Sequence, residues 1–286
     1  MTSDRKDREG MPSDWWRTSI IDIEPGSIRV RGYPIQDLIG NCSFPQMIWL
    51  MLRGELPSMG QAGLLEAALV AAVDHGPQAP SIAIARMAMT CGVGINNAMA
   101  SGVNALGDIH GGAGQQAMQL YAAITSSMKG GLSVSEATER EVGSRLDKRQ
   151  HIPGFGHRFH PVDPRATRLL QLVDAAASRK EIVGTFSEIG RACESALERR
   201  IGRRLPMNID GATAVIYSEL GFSPEHGRGL FILSRSVGIL AHAYEQHMQG
   251  GRIKGPMPPA AGYHYEGPAP RAVPARQRVD KSENKS

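Results

Sequence analysis

The chain is 286 residues long, 41% hydrophobic and 21% charged, with a formal net charge of +4. That length allows one or two domains with a sizeable core, and no apolar run approaches the roughly 20 residues of a spanning helix, so a soluble globular class is expected. Cys42, Cys91 and Cys193 are scattered and form no Cys-x-x-Cys pair, which argues against a disulfide framework or a zinc ribbon. The segment Met1 to Gly10 is charged and lacks the apolar centre of a secretory signal, so the expected compartment is the cytoplasm. A basic chain suits either nucleic acid or a small polyanion. With 5% aromatics and no helix carrying a clean basic stripe, the small anion is preferred, with neither nucleic acid nor membrane as partner.

In chain order, residues 1 to 13 are polar and read as disordered. Thr18 to Ile23 and Ser27 to Val30 alternate around Glu24-Pro25-Gly26, the pattern of a β-hairpin, and Arg31-Gly32-Tyr33-Pro34-Ile35 reads as a turn. Ser43 is a predicted N-cap with Pro45 in the first turn of a helix that stops at Gly54. A second helix covers 61 to 73, before Asp74-His75-Gly76-Pro77. From Ser81 to about Leu106 the pattern is one helix crowded with Gly, Ala, Ser and Met, of the kind buried against another helix and suited to a dimer interface. Asp108-Ile109-His110-Gly111-Gly112 breaks it and starts the next helix, which Gly130-Gly131 ends. Ser133 to Arg149 is amphipathic. Asp163 caps a helix over 164 to 178, another spans about 181 to 200, and the last long one runs from Ser223 to Met248. Gly255 to Ser286 reads as an irregular tail. The class is all-α with a small N-terminal β element.

Polar residues gather at the predicted helix ends, where backbone donors are unpaired and anions are favoured: His75, His110, His157 and Asp210. Arg165 and Arg235 accompany them, Arg235 on an apolar, small-residue helix where an isolated charge calls for a partner. The loop Gly154-Phe155-Gly156-His157-Arg158 sets a histidine beside glycines, and Asp163-Pro164-Arg165 follows. A histidine can donate to a keto oxygen, and an arginine can grip a carboxylate with two parallel bonds. A substrate that is both ketone and acid would suit them. Each element alone is as readily a turn, a cap or a structural salt bridge. Zinc ligation ranks low because no local ligand pair is spaced for it, so no metal is expected.

Taken together, these motifs resemble the citrate synthase and citryl-CoA lyase family from about Asp14 to Gly255. The carriers are Arg31-Gly32-Tyr33-Pro34-Ile35, Asp74-His75-Gly76-Pro77, His110-Gly111-Gly112-Ala113, the Gly154 to Arg158 loop, Asp163-Pro164-Arg165, Asn208-Ile209-Asp210 and Ser234-Arg235-Ser236-Val237-Gly238. The resemblance implies a two-domain helical homodimer. The large domain would comprise 1–111 and 222–286, and a smaller domain on the coenzyme A side 112–221. It implies Asp210 as the base, His110 on the thioester oxygen and His157 on the keto group. His75, Arg165 and Arg235 would bind carboxylates. Pro153, Gly154, Phe155 and Gly156 would hold coenzyme A through their backbone, with basic help from the Arg145 to Arg149 region. The coenzyme A thioester would enter as substrate, with no bound cofactor, beside a 2-oxo acid or citrate.

Two features bear on the reaction. The Asp-His-Gly-Pro, Asn-Ile-Asp-Gly and Arg235 to His242 segments resemble citryl-CoA lyase and the C-terminal module of ATP-citrate lyase, although His110 is retained. Cleavage of citryl-CoA to acetyl-CoA and oxaloacetate is therefore the first reading and condensation of an acyl-CoA with oxaloacetate the second; a non-catalytic citrate- or coenzyme A-binding paralogue is a third. Citrate synthases carry an Arg-Pro-Arg that reaches across the dimer. Gly255 and Met257 stand at those positions here, which leaves Arg252, then Lys254, as replacements.

Overall fold

A computed structural model describes residues 15–157 and 160–273. The expected disorder of residues 1 to 13, Arg158 of the histidine loop and the last part of the tail lie outside the described residues. Strands β1 (Ile21–Glu24), β2 (Ser27–Val30) and β3 (Tyr33–Pro34) form one antiparallel sheet in that order. The hairpin is present, and the segment read as a turn adds a third strand, with Arg29 opposite Pro34.

Helices follow: α1 (Ile35–Leu38), α2 (Phe44–Arg53), α3 (Met59–Ala72), α4 (Pro80–Thr90), α5 (Ile95–Asn104), α6 (Ala113–Lys129), α7 (Val134–Asp147), α8 (Pro164–Ser178), α9 (Thr185–Ile201), α10 (Ile209–Glu219) and α11 (Pro224–Gln249). Their starts are written locally. Ser43, Ser58 and Ser133 make capping boxes with Gln46, Gln61 and Glu136, each cap contributing about 1 kcal/mol. Among the described residues no helix is long and apolar enough to cross a membrane.

One expectation is corrected. The single helix over Ser81 to Leu106 is two, α4 and α5, because Gly92 takes φ +86°, a left-handed turn, and Gly94 caps α5. The small residues let these two pack on each other: a Cβ on Gly102 would lie 2.7 Å from the Ser81 carbonyl oxygen.

The largest core joins α2 and α3 to α6 through α10, around Tyr121, Leu120, Ile124, Ile189 and Ile216. A second lies between α4, α5 and α11, around Ile82, Ala98 and Ile239. Helix α11 contributes Leu230 to the first and Ile239 to the second, so it ties the two together.

Candidate active site

Helix α11 docks on the C-terminal end of α3. A Cβ on Gly238 would fall 2.2 Å from the Val73 carbonyl oxygen, so only glycine allows this approach. One turn earlier, Arg235 is 5% exposed and gives Nε to the Ala72 carbonyl at 3.2 Å. Its guanidinium lies over the Phe231 ring, 5.0 Å from the centroid. Among the described residues no carboxylate comes within ion-pair distance of Arg235. Burial disfavours its charge, opposed by the fields of Asp74 and Asp210. A buried cation without a contact partner is costly unless an anion arrives. His75 follows on the turn that leaves α3.

Helix α4 fixes His110. The backbone N–H of Ser81, one of the donors that a helix start leaves unpaired, donates to His110 Nε2 at 3.1 Å, with the Ser81 hydroxyl 3.0 Å from the same atom. A backbone N–H can only donate, so Nε2 accepts, the imidazole is neutral and its proton sits on Nδ1. Burial, then the Arg235 charge, holds this histidine below its ordinary value.

The loop before α8 is stitched to the segment before α10. Phe155 pairs with Met207, Gly156 N–H donates to Pro206 O at 2.8 Å, and Asn208 N–H to Gly154 O at 3.0 Å. Gly154 has φ +88°, and a Cβ there would lie 2.8 Å from the Gly211 Cα. Asn208 caps α10 by accepting from Asp210 and Gly211 N–H, and its own amide reaches Gly156 O at 2.6 Å. Hence Pro153, Gly154 and Phe155 are buried, and the backbone of Gly154 and Gly156 is engaged with residues 206–208.

Asp163 is 1% exposed and performs three tasks. It caps α8 at Arg165 N–H, accepts Arg165 Nε at 3.0 Å and its terminal nitrogen at 2.9 Å, and accepts the Ile209 N–H at 3.0 Å. Burial would raise its pKa, but the Arg165 bonds outweigh it and hold the carboxyl below the usual range. One edge of Arg165 is thus occupied. The sequence reading placed Asp163 only as a cap and missed this fork and the tie to α10.

His157 and His75 meet edge to face with centroids 5.9 Å apart. His157 Nδ1 accepts from His160 N–H at 3.1 Å, so its neutral form carries the proton on Nε2. Burial first, then the His160 and Arg165 charges, lowers its pKa against the opposing field of Asp163. His75 is lowered by burial and by Arg165, Arg235 and His157. Asp210 shifts the other way. Its desolvation raises the pKa, opposed by Arg165 and Arg235.

His75, His110, His157, Arg165, Asp210 and Arg235 therefore share one electrostatic neighbourhood. His75 follows α3, His110 lies on the segment between α5 and α6 against the start of α4, and Arg235 is on α11. His157, Arg165 and Asp210 come from the α8 and α10 starts. Arg252 is exposed and outside this group; its neighbours Ile253 and Lys254 bond through their N–H groups to Thr90 at the end of α4. Among the described residues no cluster of three or more His, Cys, Asp or Glu gathers to hold a metal ion.

The family model described as citrate synthase, C-terminal domain, matches residues 8–64 and 59–257. The citrate synthase of Deinococcus radiodurans is 30% identical over 209 residues, 72% of this chain and 52% of that protein. The glyoxysomal citrate synthase of Cucurbita maxima is 30% identical over 265 residues, 87% of this chain and 49% of that protein. The chain thus spans about half the length of the curated relatives it matches. The solved structure of citryl-CoA lyase from Hydrogenobacter thermophilus is 35% identical, with a TM-score of 0.80, covering 91% of this chain and 98% of that one. The chain belongs to the citrate synthase family.

Proposed function

We propose that this protein makes or breaks a carbon–carbon bond between an acyl-CoA and a 2-oxo acid, and that its reaction is the cleavage of citryl-CoA to acetyl-CoA and oxaloacetate. The observation that carries the reading is Arg235, buried with no carboxylate within ion-pair distance among the described residues and within the fields of Arg165 and Asp210. A polycarboxylate would supply the missing anions. The preference for cleavage rests on the similarity to citryl-CoA lyase across nearly the full length of both chains. Condensation of an acyl-CoA with oxaloacetate is the second reading, favoured by the curated relatives named citrate synthase.

The residues divide the chemistry. In the condensing direction, the Asp210 carboxylate takes a proton from the carbon beside the thioester, and His110 Nδ1–H holds the enol oxygen as charge develops there. That carbon attacks the keto carbon, forming the new C–C bond as the C=O π bond opens. The oxygen, held by His157 Nε2–H, takes one proton to become the hydroxyl and Asp210 gives up the one it took from carbon, so the step is proton-neutral overall. Cleavage reverses these steps, with Asp210 returning the proton to carbon. His75, Arg165 and Arg235 hold the carboxylates. As they are neutralised, the two arginines lower Asp210 less, so the bound acid makes Asp210 a stronger base.

For coenzyme A, a crevice of about 140 Å³ lined by Leu146, Gln150, His151, Ile152, Phe155 and Leu197 supports a contact at Phe155, whereas the Gly154 and Gly156 backbone is already bonded to residues 206–208 and is not free to hold the coenzyme as it stands. The thioester enters as substrate. Three of the site residues come from 1–111 with 222–286 and three from 112–221; that two-domain division is part of the proposal, with the largest core bridging the two through α2 and α3. A homodimer is part of the proposal: Leu233, Val237, Leu240, Tyr244 and Met248 form an exposed apolar stripe on α11.

The test is incubation with citryl-CoA alone and with acetyl-CoA plus oxaloacetate, following acetyl-CoA and free coenzyme A. Cleavage faster than condensation supports the lyase. Condensation alone would favour the synthase, and inertness in both would leave a binding paralogue.

A further inference from the structure

The turn that presents His75 is anchored from behind, and the anchor lies outside the six residues of the site. Asp74 accepts the Gly76 N–H through Oδ2 at 3.1 Å and lies 3.2 Å from His242 Nε2 through Oδ1. His242 Nδ1 is 3.1 Å from an Arg86 terminal nitrogen. A guanidinium only donates, so Nδ1 accepts and the His242 proton sits on Nε2, directed at Asp74. Arg86 is held in turn by Glu245 and by Gln249 Oε1, the latter at 2.7 Å. Its side chain is 14% exposed and that of His242 is 19% exposed. Burial would raise the Asp74 pKa, yet the Gly76 N–H and His242 bonds outweigh it and keep the carboxyl below its ordinary range.

The same helix fixes the rest of this corner. Ser234 Oγ donates to Leu69 O at 2.5 Å, and Arg235 Nε to Ala72 O. Ser234, Arg235 and His242 of α11 thus set the end of α3, and of these three it is His242 that bonds the residue next to His75. A cleft of about 610 Å³ lies behind the anchor, lined by Pro77, Arg86, Met87, His242 and Lys254, so it stands where water can compete for these bonds.

We propose that the chain Arg86–His242–Asp74 is a positioning relay that holds His75 in register for the acid substrate. It rests on the reading of His75 as a ligand of the acid's carboxylate. Phenylalanine at 242 would remove both hydrogen bonds and keep the bulk. Glutamine can restore the bond to Asp74, the one that bears on His75, since its amide nitrogen reaches the place of Nε2.

The experiment compares His242→Phe, His242→Gln and His75→Ala in the full chain. It measures the KM for the acid, the KM for the acyl-CoA, kcat, and the His75 ring resonance by NMR. The relay predicts that His242→Phe raises the acid KM about tenfold or more, the order expected for losing a hydrogen bond to a charged group. It also predicts a shift of the His75 resonance, little change in the acyl-CoA KM, and recovery of both effects in His242→Gln. A purely structural role would lower kcat through the folded fraction and leave the acid KM in place. If His242→Phe moves neither the resonance nor the acid KM, or if glutamine restores nothing, the relay is overturned. If the resonance moves but His75→Ala leaves the acid KM unchanged, the relay stands and the carboxylate reading of His75 falls. Should His242→Phe fail to fold, Asp74→Asn, which can no longer accept from both Gly76 and His242, is read in the same way.

Discussion

The Ser81 backbone N–H donates to His110 Nε2 across 3.1 Å, so a helix start decides which nitrogen of His110 faces the site. The consequence is a neutral imidazole with Nδ1–H as its donor. Asparagine places an amide nitrogen near the position of Nδ1, and glutamine places one near Nε2. His110→Asn should therefore keep more turnover than His110→Gln, with both losing roughly 10²-fold or more, the usual loss for one oxyanion donor. Steady-state kcat measures this, and equal activity in the two variants would contradict the tautomer.

Asp210 carries an electrostatic cost, since desolvation raises its pKa despite two arginines. Removing the charge should lower turnover by about 10³-fold, within the range for a general base. The same change, Asp210→Asn, should raise Tm at pH 7, where the carboxylate is ionised in the unfolded chain and disfavoured in the fold. Calorimetry and kinetics on one preparation test both. Unchanged turnover would remove Asp210 from the role of base.

His75, His110 and His157 all titrate below the ordinary histidine value of 6.5. A histidine lowered in the fold leaves the unfolded chain holding more protons as pH falls below that value. Their contribution to stability is complete above about pH 6.5 and is lost as pH drops toward their folded values. Tm should fall from pH 7 to pH 5, and by less in His110→Asn than in the parent. An equal fall would show that His110 is not part of this loss.

The exposed α11 stripe and Arg252 are linked in the dimer proposal. Leu240→Glu should shift sedimentation from dimer to monomer at micromolar concentration. If Arg252 reaches the partner's substrate, Arg252→Ala should raise the acid KM more than it lowers kcat, because charge pairing acts in ground and transition states alike. A fully active monomer, or unchanged kinetics in Arg252→Ala, would contradict these respective points.

Much of the architecture was legible because caps are local. Ser43, Asp163 with Pro164, and Ser223 announce α2, α8 and α11, and each helix starts one residue later. The break between α4 and α5 was harder. Gly92 lies among Ala, Met and Gly residues that a helix also tolerates, and only its positive φ shows the turn. Four of the proposed site residues, His75, His110, His157 and Asp210, were legible as motifs at helix ends, and Arg165 and Arg235 stood out as charges in the segments that carry the family resemblance. Their supports were less visible, because hydrogen bonds between distant segments leave no sequence periodicity. Ser81 works through its backbone, and Asp163 spans 46 residues to reach Ile209. Asp74 and His242 meet only because Gly238 lets α11 approach α3.

The most direct test of the account is exchange of the acetyl-CoA methyl protons with D₂O, followed by NMR with an unreactive oxaloacetate analogue present. This step does not depend on the direction of the overall reaction. Exchange should be rapid in the parent protein, lost in Asp210→Asn and His110→Ala, and largely kept in His157→Ala, whose place is at the keto acid. Exchange that persists in Asp210→Asn, or that is lost equally in His110→Ala and His157→Ala, would contradict the assignment of this site.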